Sequence, residues 1–102
     1  MQKVALTIGH KVGAVETHTT EAICTAVTEL MPVDGYTAIP CLGMWKGVPE
    51  HSTRIEFITD ELGAAEIVVR VPSLAAMLQQ EAIMCEVSPA EVTFPTAIIA
   101  AA

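Results

Sequence analysis

Basic residues are scarce. The 102-residue chain has 5 Lys+Arg against 12 Asp+Glu, a formal net charge of −7. The cations Lys3, Lys11, Lys46, Arg54 and Arg70 stand singly along the chain. An acidic surface repels a phosphate backbone and no basic patch opposes that, so a nucleic-acid partner is not expected. Aromatic residues are also few, with one Trp, one Tyr and two Phe. Trp45 is therefore the one large flat side chain that could wall a pocket. The 3 cysteines, Cys24, Cys41 and Cys85, form no CxxC or other close pair. An odd, scattered set reads as a reduced cytoplasmic chain, not a disulfide framework. All three are expected as small buried hydrophobes. Cys41 or Cys85 would need an activated thiolate and a nearby base to act as a nucleophile, and both fall in strands away from the polar loops.

Other absences narrow the function further. "MQKVALTIGHK" lacks the long apolar run of a secretory signal. No stretch is long enough to span a bilayer, and "TAIIAAA" is far too short, so no membrane partner is expected. "GHKVG" lacks the pattern of a phosphate-cradling loop, and no HxH or HExxH metal motif occurs. No cofactor and no metal are expected. What is abundant is apolar residue: 52% of the chain, with a mean hydropathy of +0.51. One domain over residues 1–102 has only a modest core to fill. The surplus points to a homo-oligomer, a dimer or trimer, that buries a second face.

The apolar pattern orders the elements. "KVALTIG" alternates, with Val4, Leu6 and Ile8 on one side, as in a half-buried strand. "HKVGAVETHTT" reads as a polar loop. "TTEAICTAVTELM" has helical spacing, opened by Thr17 or His18, with Glu21 in the first turn and Pro32 and Gly35 at its end. "YTAIPCLGMW" is a second strand, which Pro40 and Gly43 place at an edge or a bulge. "KGVPE" reads as a turn, and "STRIEFIT" as a third strand with Thr53, Ile55 and Phe57 on one face. Residues 60–79 keep one apolar phase through Pro72, so a single kinked helix capped by Asp60 is expected. "EAIMCEV" is a last strand, which "SPAEVTF" extends with a break near Pro89.

Strand, helix, strand, strand, helix, strand is the split βαβ order. The fold class is α+β: a ferredoxin-like βαββαβ domain with two helices on one face of a four-stranded antiparallel sheet. The first and third strands are central. Three connections then share one end of the sheet. They bring together His10, Lys11, His18, Trp45, Lys46, Glu50, His51 and Gln80 as the candidate ligand-binding set. The opposite end, with Asp34 and Asp60, has no histidine. On the other sheet face, Lys3, Thr7, Arg54, Glu56 and Met84 or Glu86 form a mixed surface.

"GMWKGVPEHSTRIEFI" resembles the hairpin of several ferredoxin-like families, and "LQQEAIMCEV" resembles the helix end and last strand of small bacterial proteins of unknown function. The "MWKG" hairpin is also distantly similar to CutA-type divalent-cation-tolerance trimers. Their cysteine-containing first-strand region is not seen here, and neither is the phosphate-binding loop of PII-type signalling proteins. The resemblance implies the fold and a homo-oligomer, and no catalytic residue. The expected function is a non-catalytic ligand-binding or regulatory module. The alternatives are a cofactor-independent enzyme of oxygenase or isomerase type, needing a histidine beside an apolar pocket, and a metal site made from His10, His18 and His51.

Overall fold

The computed structural model describes residues 1–98. Its strands are β1 (Gln2–Gly9), β2 (Lys11–Val12), β3 (Val15–Glu16), β4 (Thr37–Trp45), β5 (Val48–Thr59) and β6 (Met84–Pro89); its helices are α1 (Thr20–Leu30) and α2 (Glu61–Met77). The main sheet is antiparallel throughout, in the order β4-β5-β1-β6. This is the expected ferredoxin-like arrangement, with β1 and β5 central. Among the described residues no helix is long and apolar enough to cross a membrane.

Strand alternation selects the core. Val4, Leu6 and Ile8 of β1 and Ile55 and Phe57 of β5 are at most 1% exposed. They pack against Ile23 and Val27 of α1 and Ile67, Val71 and Leu74 of α2. Each large side chain buried in this way contributes about 1.5–3 kcal/mol. α2 runs unbroken through Pro72, as its single apolar phase requires. Asp60 caps it, accepting from the Gly63 N–H at 2.7 Å.

Several boundaries differ from the sequence reading. Thr19 caps α1, accepting from the Ala22 N–H at 3.1 Å, because Thr17 and His18 are engaged elsewhere. The loop after β1 contains a small ribbon, Lys11 opposite Glu16 and Val12 opposite Val15, turned at Gly13 with φ +60°. The hairpin turns at Lys46 and Gly47, both left-handed (φ 50° and 77°), so its loop is two residues long and matches the strand twist. Pro49 therefore lies inside β5, opposite Met44. β6 begins at Met84 instead of Glu81 and ends at Pro89. The cysteines are not uniformly buried: Cys24 and Cys41 are half-buried and Cys85 is exposed on the edge strand.

The β4–β5 hairpin outgrows the sheet. β1 pairs with β5 only as far as Gly9 opposite Ser52, while β4 and β5 continue to Trp45 opposite Val48. The overhang is roughly 13 Å at the usual strand rise. It carries Leu42, Met44, Trp45 and Val48 into solvent, each more than half exposed.

Candidate functional site

The expected end of the sheet does gather most of the named residues, but the three histidines take different work. His10 turns toward the core side. Its Nε2 lies 2.7 Å from Thr53 Oγ1, which is 2.8 Å from Thr20 Oγ1. Its N–H donates to the His51 carbonyl at 2.9 Å, and its carbonyl accepts from the N–H groups of Thr17 and His18. Glu16 Oε1 lies 3.8 Å from its Nδ1. His10 thus ties β1, β5 and the entry to α1 together. His18 Nε2 sits 2.6 Å from the Leu78 carbonyl. A carbonyl only accepts, so that nitrogen carries the proton. This bond pins the end of α2 to the loop before α1. His51 is exposed, with its ring centroid 6.5 Å from that of His10. Among the described residues no three His, Cys, Asp or Glu side chains converge where they could share a metal ion. The three histidines are not a ligand set, because two are committed to hydrogen bonds that hold loops in place.

The open face of the sheet presents a different group. Directly opposed residues share a face, so Gly9, Ser52, Glu50, Gly43 and Trp45 all lie on the side away from the helices. The Glu50 carboxylate rests over Gly9. A Cβ at Gly9 would collide with Glu50 Oε1 and lie 3.4 Å from Gln80 Oε1. Glycine is therefore what lets the carboxylate come down onto the strand. Gln80 reaches the same spot because the chain reverses after α2 at Gln79, which has φ 54°. Its Nε2 donates to the Lys11 carbonyl at 2.9 Å, which turns its Oε1 outward. Among the described residues no donor meets the carboxylate of Glu50. Two acceptors, one of them anionic, thus face one point above Gly9 with no donor between them.

Trp45 and Lys46 belong to this face only through the hairpin. Trp45 is 67% exposed at the tip, and the Lys46 Nζ lies 5.8 Å from its ring centroid. Gly43, opposite Glu50, leaves a bare stretch between Trp45 and Cys41. Lys11 contributes its carbonyl.

Beyond the acceptor pair, charge covers the sheet. Lys3 pairs with Glu56 at 3.0 Å, Arg54 with Glu56 at 3.1 Å, and Arg54 with Glu86 at 2.9 Å. Arg54 reaches from β5 over β1 to β6, and Ala5 beneath is only 2% exposed. Lys3 and then Arg54 hold the Glu56 carboxyl below its ordinary range. Arg54 does the same for Glu86, and Glu86 first, then Glu56, raises the guanidinium. Partial burial, aided by the Glu86 charge, pushes the Cys85 thiol up, away from a reactive thiolate.

The roles of two residues escaped the sequence reading. Thr53 is fully buried and joins His10 to Thr20; the available signal was a hydroxyl in phase with Ile55 and Phe57. Gly9 left no signal, since its role depends on the strand register.

No protein-family model matches the chain, and no curated protein matches its sequence. Solved structures do. One is a phage SAM lyase in complex with S-methyl-5'-thioadenosine, with TM-score 0.61, 17% identity, and coverage of 85% of this chain and 79% of that one. Another is a phage SAM lyase in the apo state, with TM-score 0.68, 18% identity, and coverage of 85% and 78%. Neither is a CutA- or PII-type protein, the distant likeness expected from the sequence. At this identity the likeness shows the fold, an α+β sheet-and-helix domain shared over most of both chains.

Proposed function

We propose that this chain binds a small molecule on the open face of its sheet, over Gly9, with Glu50 and Gln80 accepting hydrogen bonds from it. The observation that carries this reading is the half-buried Glu50, its carboxylate seated on Gly9 beside Gln80 Oε1 with no donor to it among the described residues. A carboxylate so placed gains most from a ligand with two adjacent N–H or O–H groups, since charge-assisted bonds are the strong ones. Trp45, further along the same face, offers a flat wall for a ring. A nucleoside has both features: a ribose diol and a planar base. The complex of the fold neighbour with S-methyl-5'-thioadenosine makes that nucleoside the first ligand to try.

Titration calorimetry with S-methyl-5'-thioadenosine is the test. Removing the charge in Glu50→Gln is expected to weaken binding about tenfold or more, the effect of about 1.5–3 kcal/mol for a hydrogen bond to a charged group. Gly9→Ala should weaken it as well, by displacing the carboxylate. No heat with the unaltered protein at millimolar nucleoside, or full affinity in Glu50→Gln, would remove the reading. A second reading is catalytic, and it is favoured by the lyase identity of the fold neighbours. It predicts that SAM incubated with the protein releases S-methyl-5'-thioadenosine, and that Glu50→Gln abolishes the release.

A further inference from the structure

A second feature lies on the opposite side of the molecule from this face. α2 and the edge strand β6 border an apolar groove of about 390 Å³, lined by Ala64, Ala65, Val68 and Val69 of the helix and Val87 of the strand. Val69 is 77% and Val87 50% exposed. Beside it, every residue of β6 is exposed, and among the described residues no strand pairs with its outer edge. The residues that follow β6, "AEVTFPTAI" (90–98), carry the apolar side chains Val92, Phe94 and Ile98 and lie outside any helix or strand. Phe94 is 83% exposed and Ile98 fully so. One chain therefore carries both an empty apolar groove and an unhoused apolar segment.

The path of the segment decides whose groove it fills. Ala90 N–H donates to the Met1 carbonyl at 2.9 Å, so the chain continues the line of β6 past the end of the sheet. Filling its own groove would require a reversal within Glu91, Val92 and Thr93. None of these is a Gly, Pro, Asn or Asp of the kind that reverses a chain, and Val and Thr favour extended backbone. Pro95 also holds Phe94 extended. The segment is built to run straight on.

Surface area agrees. A compact monomer of this mass exposes about 5,500 Å², whereas this chain exposes 6845 Å². The excess of roughly 1,300 Å² exceeds the roughly 800 Å² that each partner buries in a standard interface.

We infer that two copies of this chain exchange their C-terminal segments, Phe94 of each entering the α2–β6 groove of the other. The exchange is reciprocal, as a twofold axis requires. It is independent of any ligand over Gly9.

The test uses the full chain with Phe94→p-benzoyl-phenylalanine, mixed in equal parts as ¹⁴N- and ¹⁵N-labelled protein, unfolded and refolded together, photolysed and digested with trypsin. Cleavage after Arg54 and Arg70 separates the groove-lining half of α2 from the segment. The expected product joins the peptide of residues 55–70 to that of residues 71–102, with mixed-isotope pairs about as frequent as like pairs. Like-isotope pairs alone would mean that each segment folds into its own groove, and the exchange would be wrong. Photoproducts that avoid residues 55–70 would also overturn it. Sedimentation equilibrium gives a second reading. Phe94→Asp should raise the dimer dissociation constant at least tenfold while the far-ultraviolet circular dichroism of the folded chain is unchanged, since Phe94 is 83% exposed within its own chain. A monomeric unaltered protein, or an unaltered dimer constant in Phe94→Asp, would refute the inference.

Discussion

Replacing Thr53 by valine keeps the shape of the side chain and removes its hydroxyl. That hydroxyl is fully buried and sits 2.7 Å from His10 Nε2 and 2.8 Å from Thr20 Oγ1. Two net hydrogen bonds of about 1 kcal/mol each are lost. His10, whose side chain is only 12% exposed, is also left with an unpaired ring nitrogen, which has limited access to water. The valine methyl in the core returns part of the loss. The expected destabilisation is about 2–3 kcal/mol, or roughly 8–20 °C in Tm for a domain of this size. Urea denaturation followed by far-ultraviolet circular dichroism measures it; Trp45, already exposed at the hairpin tip, is a poor reporter of unfolding. Thr20→Ala and the double variant complete a cycle. The two single effects should sum to clearly more than the double effect, because both remove the same Thr20–Thr53 bond. A loss under about 0.5 kcal/mol would show that the three-residue network does not tie the loop to the sheet, and the account of His10 as a structural residue would fall.

Two further predictions follow from residues away from that network. The carboxyls of Glu56 and Glu86 lie below their ordinary range in the folded protein, so the unfolded chain binds protons first as the pH falls. Their stabilisation is full above the ordinary glutamate range and is lost as the pH drops through it toward the lowered folded values. Tm measured against pH should fall along that limb, and less steeply in Glu56→Gln; superimposed acid limbs would argue against the network. Pro72, exposed within α2, offers no N–H to the Val68 carbonyl. Pro72→Ala should raise stability by about 1–3 kcal/mol in the same urea assay, and a decrease would mean that the packing of α2 depends on the proline.

The residues differ in how openly they announce their places. Val4, Leu6 and Ile8 alternate, and the phase from Ala64 to Leu74 survives Pro72, so core, helices and strand order were all readable. The β4–β5 hairpin was harder, because Gly47 and Pro49 both look like turn residues. Only the paired left-handed conformations of Lys46 and Gly47 decide between them. That one shift lengthens the hairpin and carries Trp45 out to a tip. At the site, Glu50 and Gln80 were named on topology alone, and both face the open point over Gly9. His10 and His18 were named on the same grounds and serve as ties between loops, because residue type does not tell a hydrogen bond made inward from one offered outward. Gly9 has meaning only once its neighbours across the sheet are known.

The Arg54 bridge across β1 has a consequence for how such a chain can vary. Its guanidinium reaches Glu86 over Ala5, which lies between Glu56 and Glu86 in the sheet. A longer side chain at position 5 would lift the bridge off the strand and break it. Related sequences should therefore drift together at positions 5, 54 and 86: a small residue at the first wherever opposite charges occupy the other two, and a bulky one only where both charges have been abandoned.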